Sequence, residues 1–115
     1  MIGLPAQVRV WAYPGPCDMR KGHNGLLGLV ERHFCRDILS GDLFVFVNRR
    51  RTLAKILYWD GSGYVILYKR RVEGKFPKLW GRAHVDATGI HLSAGELALF
   101  LDGCQLLAKQ SLKAG

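Results

Sequence analysis

The stretch NRRRTLAKILYWDGSGYVILYKRRVEGKFPKLW, residues 48–80, decides how this chain folds. Two runs within it, Leu53 to Trp59 and Tyr64 to Lys69, are rich in aliphatic, aromatic and β-branched residues. Such residues suit a pleated, half-buried surface, so each run predicts a strand. Between them, Asp60-Gly61-Ser62-Gly63 supplies glycines where a reversing backbone needs positive φ. A two-residue loop (Gly61-Ser62) and a four-residue loop (Asp60 to Gly63) give the same register, Trp59 opposite Tyr64. Because side chains alternate across a strand, one face then carries Leu53, Lys55, Leu57, Trp59, Tyr64, Ile66, Tyr68 and Arg70. The other carries Ala54, Ile56, Tyr58, Val65, Leu67, Lys69 and Arg71. Far from the turn, Arg49-Arg50-Arg51 and Lys69-Arg70-Arg71 come together.

Charge follows the same stretch. Residues 49–82 hold ten Lys/Arg against two acids, Asp60 and Glu73, while the rest of the chain balances seven bases with seven acids. The whole formal charge of +8 therefore sits in one segment. A basic patch confined to one element is the electrostatic footprint of a polyanion partner, DNA above all. Arg49, Arg50, Arg51, Lys55, Lys69, Arg70, Arg71, Lys75 and Lys78 are the candidate DNA contacts. The bland alternative is a solvated face carrying solubility charges. Six bases at one hairpin end are nonetheless hard to bury and must point outward or meet a partner.

With 115 residues, 49% hydrophobic and 23% charged, the chain is expected to form one globular domain over 1–105. Residues 106–115 are expected to be a frayed or disordered tail. Apolar runs are far shorter than the roughly 20 residues that cross a bilayer, and the N-terminus lacks signal-peptide character. Three cysteines, Cys17, Cys35 and Cys104, show no CxxC spacing. That argues against a disulfide framework or a zinc site and fits a reducing cytoplasm.

Taken in order, Val8 to Tyr13 predicts a first strand, broken by Pro14-Gly15-Pro16. A helix over about 18–35 follows, with Asp18 as N-cap and Leu26, Leu27, Val30 and Phe34 as its apolar stripe. Gly22, Gly25 and Gly28 recur along it, either to admit a close backbone or because the helix begins later. Leu43-Phe44-Val45-Phe46-Val47 is an unbroken apolar run, the mark of a central strand buried on both faces. After the hairpin, Val72 to Pro77 exits in an extended or turning path, and a short strand around Ala83–Val85 is one reading of an ambiguous stretch. Ser93 and Glu96 form a capping-box pattern opening a short helix that Gly103 ends. The expectation is an α+β domain: a mostly antiparallel sheet of about four strands with helices on one side.

Three strings carry a resemblance. Val10-Trp11 followed by Pro16-Cys17-Asp18-Met19-Arg20-Lys21-Gly22 is the first. Leu43-Phe44-Val45-Phe46 with Asn48-Arg49-Arg50 is the second. Lys55-Ile56-Leu57-Tyr58-Trp59-Asp60-Gly61, continuing through Tyr68-Lys69-Arg70, is the third. Together they resemble the small accessory protein encoded by the second open reading frame of IS66-type bacterial insertion sequences. The resemblance covers roughly residues 2–80 and rests most heavily on Asp18, Met19, Arg20, Lys21, Gly22, Trp59, Asp60 and Gly61. His23 and Cys17 depart from it, where phenylalanine and threonine are usual. It implies a cytoplasmic protein needed for transposition beside a separate, larger transposase that supplies catalysis, with DNA or that transposase as its partner.

The residues themselves offer little chemistry. The acids Asp18, Glu31, Asp37, Asp42, Asp60, Glu73, Asp86, Glu96 and Asp102 each suit a cap, a turn or a solvent face, and no ligand-spaced set stands out. His23, His33, His84 and His91 do not cluster. No phosphate-binding glycine motif is present; Gly22, Gly25 and Gly28 lie within a helical pattern. Neither cofactor nor metal is expected. Trp59, Tyr64 and Tyr68 share a face with Lys55 and Arg70, which allows base stacking, although core packing is the commoner fate of such rings. Two functions follow: a non-catalytic transposition accessory protein that binds DNA through a basic hairpin, alone or with the transposase, or an adaptor that binds the transposase only.

Overall fold

The computed structural model describes residues 8–80 and 89–103. The predicted short strand around Ala83–Val85, Arg82 and the tail from 106 lie outside them. The elements are β1 (Val10–Pro16), α1 (His23–Leu29), β2 (Leu43–Val47), β3 (Leu53–Trp59), β4 (Tyr64–Arg70), β5 (Ile90–Leu92) and α2 (Ala94–Leu101). The five strands form one sheet in the order β4-β3-β2-β1-β5.

The hairpin has the register read from the sequence: Trp59 faces Tyr64, Leu57 faces Ile66 and Ala54 faces Lys69. β2 pairs antiparallel with β3, so residues 43–70 form three consecutive antiparallel strands. β2 is also the middle strand, and all five of its residues are buried. That explains its unbroken apolar run, since neither face meets water.

The sheet departs from expectation in three ways. It has five strands, not about four, and β1 runs parallel to β2. A strand followed by a crossover helix re-enters the sheet in the same direction, and α1 makes that crossover. The fifth strand, β5, pairs antiparallel with β1 but is three residues long, too short for a period to show. Finally, the helices take opposite faces. Leu26, Val30 and Phe34 pack on Trp11, Phe44, Phe46 and Leu57. Leu97 and Phe100 pack with Phe76 and Leu79 on Val10, Val45, Ile56 and Leu92. Rings bind both layers, Phe34 lying 5.1 Å edge-on to Phe44 and Phe76 stacked 5.0 Å from Phe100.

Local details differ too. β1 continues through Pro14-Gly15-Pro16 as an irregular stretch, Pro16 pairing Val47 after a register shift. The first helix begins at His23, not at 18, and Gly22 is its N-cap. Its last turn widens to π geometry over Val30–Phe34, ended by Cys35 in the left-handed region. Cβ atoms added at Gly25 or Gly28 would meet the side chains of Lys21 or Arg32, so no foreign backbone approaches there. The Ser93–Glu96 capping box forms as read.

Candidate nucleic-acid interface

The basic end of the hairpin is shaped by Asn48. Its Oδ1 accepts from the amides of Thr52 and Leu53 at 2.9 and 3.0 Å, and its Nδ2 donates to Thr52 Oγ1. The Asn48 carbonyl accepts from Arg51 N at 3.0 Å, which makes Arg49 and Arg50 the two central residues of a tight turn. Arg51 completes the reversal at φ 61, a left-handed conformation seldom taken by a residue with a Cβ. The turn throws the side chains of Arg49 and Arg50 into solvent.

Their neighbours are spent otherwise. Arg51 binds the segment after β4 twice: its carbonyl accepts from Phe76 N at 2.7 Å, and its Nη1 donates to the Phe76 carbonyl at 3.4 Å. Arg71 Nε donates to the Glu73 carbonyl at 3.0 Å, and its guanidinium lies against Gly103 after α2. Lys69 Nζ donates to the Leu101 carbonyl at 2.7 Å, at the C-terminal end of α2, where a helix dipole favours a cation. Lys55 is turned into the fold. Its ammonium, half-buried, donates to the carbonyls of Met19 and Lys21 at 2.8 and 2.9 Å.

Of the nine candidate contacts, Arg51, Lys55, Lys69 and Arg71 are therefore engaged by carbonyls of the fold. Arg49, Arg50, Arg70, Lys75 and Lys78 are exposed and make no side-chain hydrogen bond or ion pair among the described residues. Arg49, Arg50 and Arg70 meet at one end of the sheet, where Leu53 pairs Arg70. Lys75 joins them through its neighbour Phe76, while Lys78 sits further along that segment.

Lys55 also explains the late start of α1. The carbonyls of Met19 and Lys21, which an earlier helix would use for its own ladder, are drawn to the ammonium instead. Asp18 caps a local turn rather than the helix: it accepts from Arg20 N at 2.9 Å and holds the Arg20 guanidinium at 2.7 Å. That side-chain bond holds the Asp18 carboxyl at a pKa of about 2. Asp18-Met19-Arg20-Lys21-Gly22 and the hairpin, separate in sequence, are thus joined at Lys55.

At the other hairpin end, Asp60 Oδ1 accepts from the amides of Ser62 and Gly63, both at 2.9 Å, which lowers its pKa. Gly61 takes φ 105 in that turn. Trp59 is half-buried against the α1-side cluster, edge-on to Tyr64 at 5.1 Å. Further acids serve structure: Asp42 accepts from Arg9 N and from the Trp11 indole at 3.2 Å, and Asp37 accepts from Leu39 N. Among the described residues there is no group of three or more His, Cys, Asp or Glu able to hold a metal ion, and no helix long and apolar enough to cross a membrane. Cys17 is a buried thiol whose pKa burial raises, and Cys35 is exposed.

The family described as "IS66 Orf2 like protein" matches residues 8–111, almost the whole chain. The chain belongs to the IS66 Orf2-like family. It is therefore a transposition-associated accessory protein of an IS66-type insertion sequence. Two Sinorhizobium fredii proteins are similar to this IS66 Orf2-like chain. "Uncharacterized protein y4jC" is 35% identical over 105 residues, covering 90% of this chain and 85% of its own length. "Uncharacterized protein y4hO" is 36% identical over 103 residues, covering 90% and 86%. No solved structure matches.

The residues that sequence reasoning missed are Asn48, whose side chain organises the arginine turn, and Lys55 in its role as a clasp. An Asn followed by three arginines between two strands was the available signal for the first. Nothing in the sequence signals the second, because its partners are carbonyls more than thirty positions away.

Proposed function

We propose that this protein serves transposition by binding duplex DNA through the basic end of its β3–β4 hairpin, alone or in a complex with the transposase, without catalysing cleavage or strand transfer itself. The observation that carries this reading is the convergence of Arg49, Arg50 and Arg70, exposed and without a side-chain partner among the described residues, beside bases that the fold has already consumed. Four contacts, those three and Lys75, imply a slope of log K against log salt of about −4 on duplex DNA. The absence of catalysis is supported by the acids Asp18, Asp37, Asp42 and Asp60, each committed to a structural hydrogen bond. Neither a cofactor nor a membrane enters the proposal, and the site of action is the bacterial cytoplasm.

Fluorescence anisotropy with a labelled duplex, from low to physiological salt, tests it. Arg49→Ala, Arg50→Ala and Arg70→Ala should each flatten the slope by about one unit and weaken all sequences alike. Salt-independent binding, or unchanged affinity in all three variants, would remove the patch as a DNA contact. A second reading, an adaptor that binds the transposase alone, is favoured by the apolar exposure of Val72 (96%), just past that end of β4, and of Leu67 (44%) in the middle of the same strand. Gel shifts on element-end DNA with and without the transposase separate the two, since an adaptor shifts DNA only when the transposase is present.

A further inference from the structure

β4 is an edge strand, and Tyr68 is its most open aromatic, 56% exposed. The ring is opposite Lys55, whose ammonium lies 5.4 Å from the ring centroid while anchored to the carbonyls of Met19 and Lys21. A cation at this distance is attracted to one π-face of the ring, and the residue stays more than half exposed beside it. Two residues along the same face stands Arg70, and the Lys55 clasp brings the loop bearing Arg20 to the same side. Arg20 keeps a 92% exposed side chain although it is ion-paired with Asp18. Neither β3 nor β4 contains an acidic residue.

We propose that Tyr68 is a stacking platform for an unpaired DNA base, with Arg70 holding the adjoining phosphate. The proposal rests on the DNA-binding reading above and narrows it to a place where the duplex is open. Base stacking on an exposed aromatic is sequence-tolerant and needs phosphate contacts beside it, and this strand offers both. A protein partner is the weaker fit, because a desolvated anchor at Tyr68 would also have to bury the charges of Lys69 and Arg70 beside it. Tyr64, on the same face four residues away, is not a second member of one stack. Roughly 13 Å of strand separates the two rings, whereas stacked bases rise about 3.4 Å, and the Tyr64 ring already meets Trp59.

The experiment is anisotropy with labelled oligo-dT of fifteen nucleotides and with a duplex of equal length, for the parent, Tyr68→Ala and Tyr68→Phe. Tyr68→Ala should weaken oligo-dT binding about tenfold and duplex binding less than twofold, while Tyr68→Phe stays within twofold on both. Equal losses on both probes, no loss on oligo-dT, or a Phe variant as weak as the Ala variant would overturn the platform. So would a dimer in sedimentation velocity that Tyr68→Ala dissolves, since the ring would then belong to a β4–β4 contact. Salt-dependent duplex binding that responds to Arg50→Ala while Tyr68→Ala has no effect on oligo-dT leaves the hairpin reading standing and removes only this one. Failure of the parent to bind either probe removes both.

Discussion

The two ends of the β3–β4 hairpin use charge in opposite ways. At the turn, a single carboxylate, Asp60, is committed to two amides of its own loop. At the far end six bases crowd together, and the fold draws Arg51, Lys69 and Arg71 onto backbone carbonyls while Arg49, Arg50 and Arg70 stay free. The difference is one of supply. The far end lies beside the carbonyls of Phe76, Leu101 and Glu73, and a cation nearby serves them before it serves a ligand. Counting positive charge therefore overstates an interface, and the free donors measure it better.

The largest test of this division is the triple variant Arg49→Ala, Arg50→Ala, Arg70→Ala. Losing three phosphate contacts should lower duplex affinity on the order of a hundredfold at about 0.1 M salt, with the urea midpoint almost unchanged. A comparable affinity loss from Arg51→Ala and Arg71→Ala, with the triple variant silent, would reverse the assignment.

Lys55→Met should do the converse. It leaves the Met19 and Lys21 carbonyls without their donor, at a cost of about 2 kcal/mol in urea unfolding. Duplex affinity, measured where the variant is folded, should hold. Asn48→Ala comes next, since it removes the acceptor for two amides of the arginine turn. Unfolding free energy should fall by about 1 kcal/mol, and duplex affinity should drop as well, because the turn presents Arg49 and Arg50. A stability loss without any affinity loss would show that the arginines do not need that turn.

The smallest effect belongs to the acidic turn. The folded pKa of Asp60 is lowered by the Ser62 and Gly63 amides, so its ionised form favours the folded state. That contribution is fully present above the unfolded carboxylate value, about 3.9, and fades as pH falls through the lower folded pKa. Asp60→Asn should therefore reduce the melting temperature slightly at neutral pH, and the gap to the parent should close in acid. A gap that widens in acid would reverse the sign. Asp18, with its pKa of about 2, should behave alike.

The sequence by itself determined the hairpin, its register, the central strand and the capped last helix. These rest on local patterns: alternation, an unbroken apolar run, a glycine turn and a Ser93–Glu96 pair. The strings around Asp18 and Trp59 also carried the family. Tertiary structure alone decided that β1 runs parallel, that β5 closes the sheet, and that the helices take opposite faces. Each depends on where a crossover returns the chain, which no local period encodes. It also sorted the bases. Lys55 and Arg50 look alike in sequence, but a lysine within hydrogen-bond reach of the carbonyls of Met19 and Lys21 becomes part of the fold, and an arginine at a turn apex stays exposed to solvent.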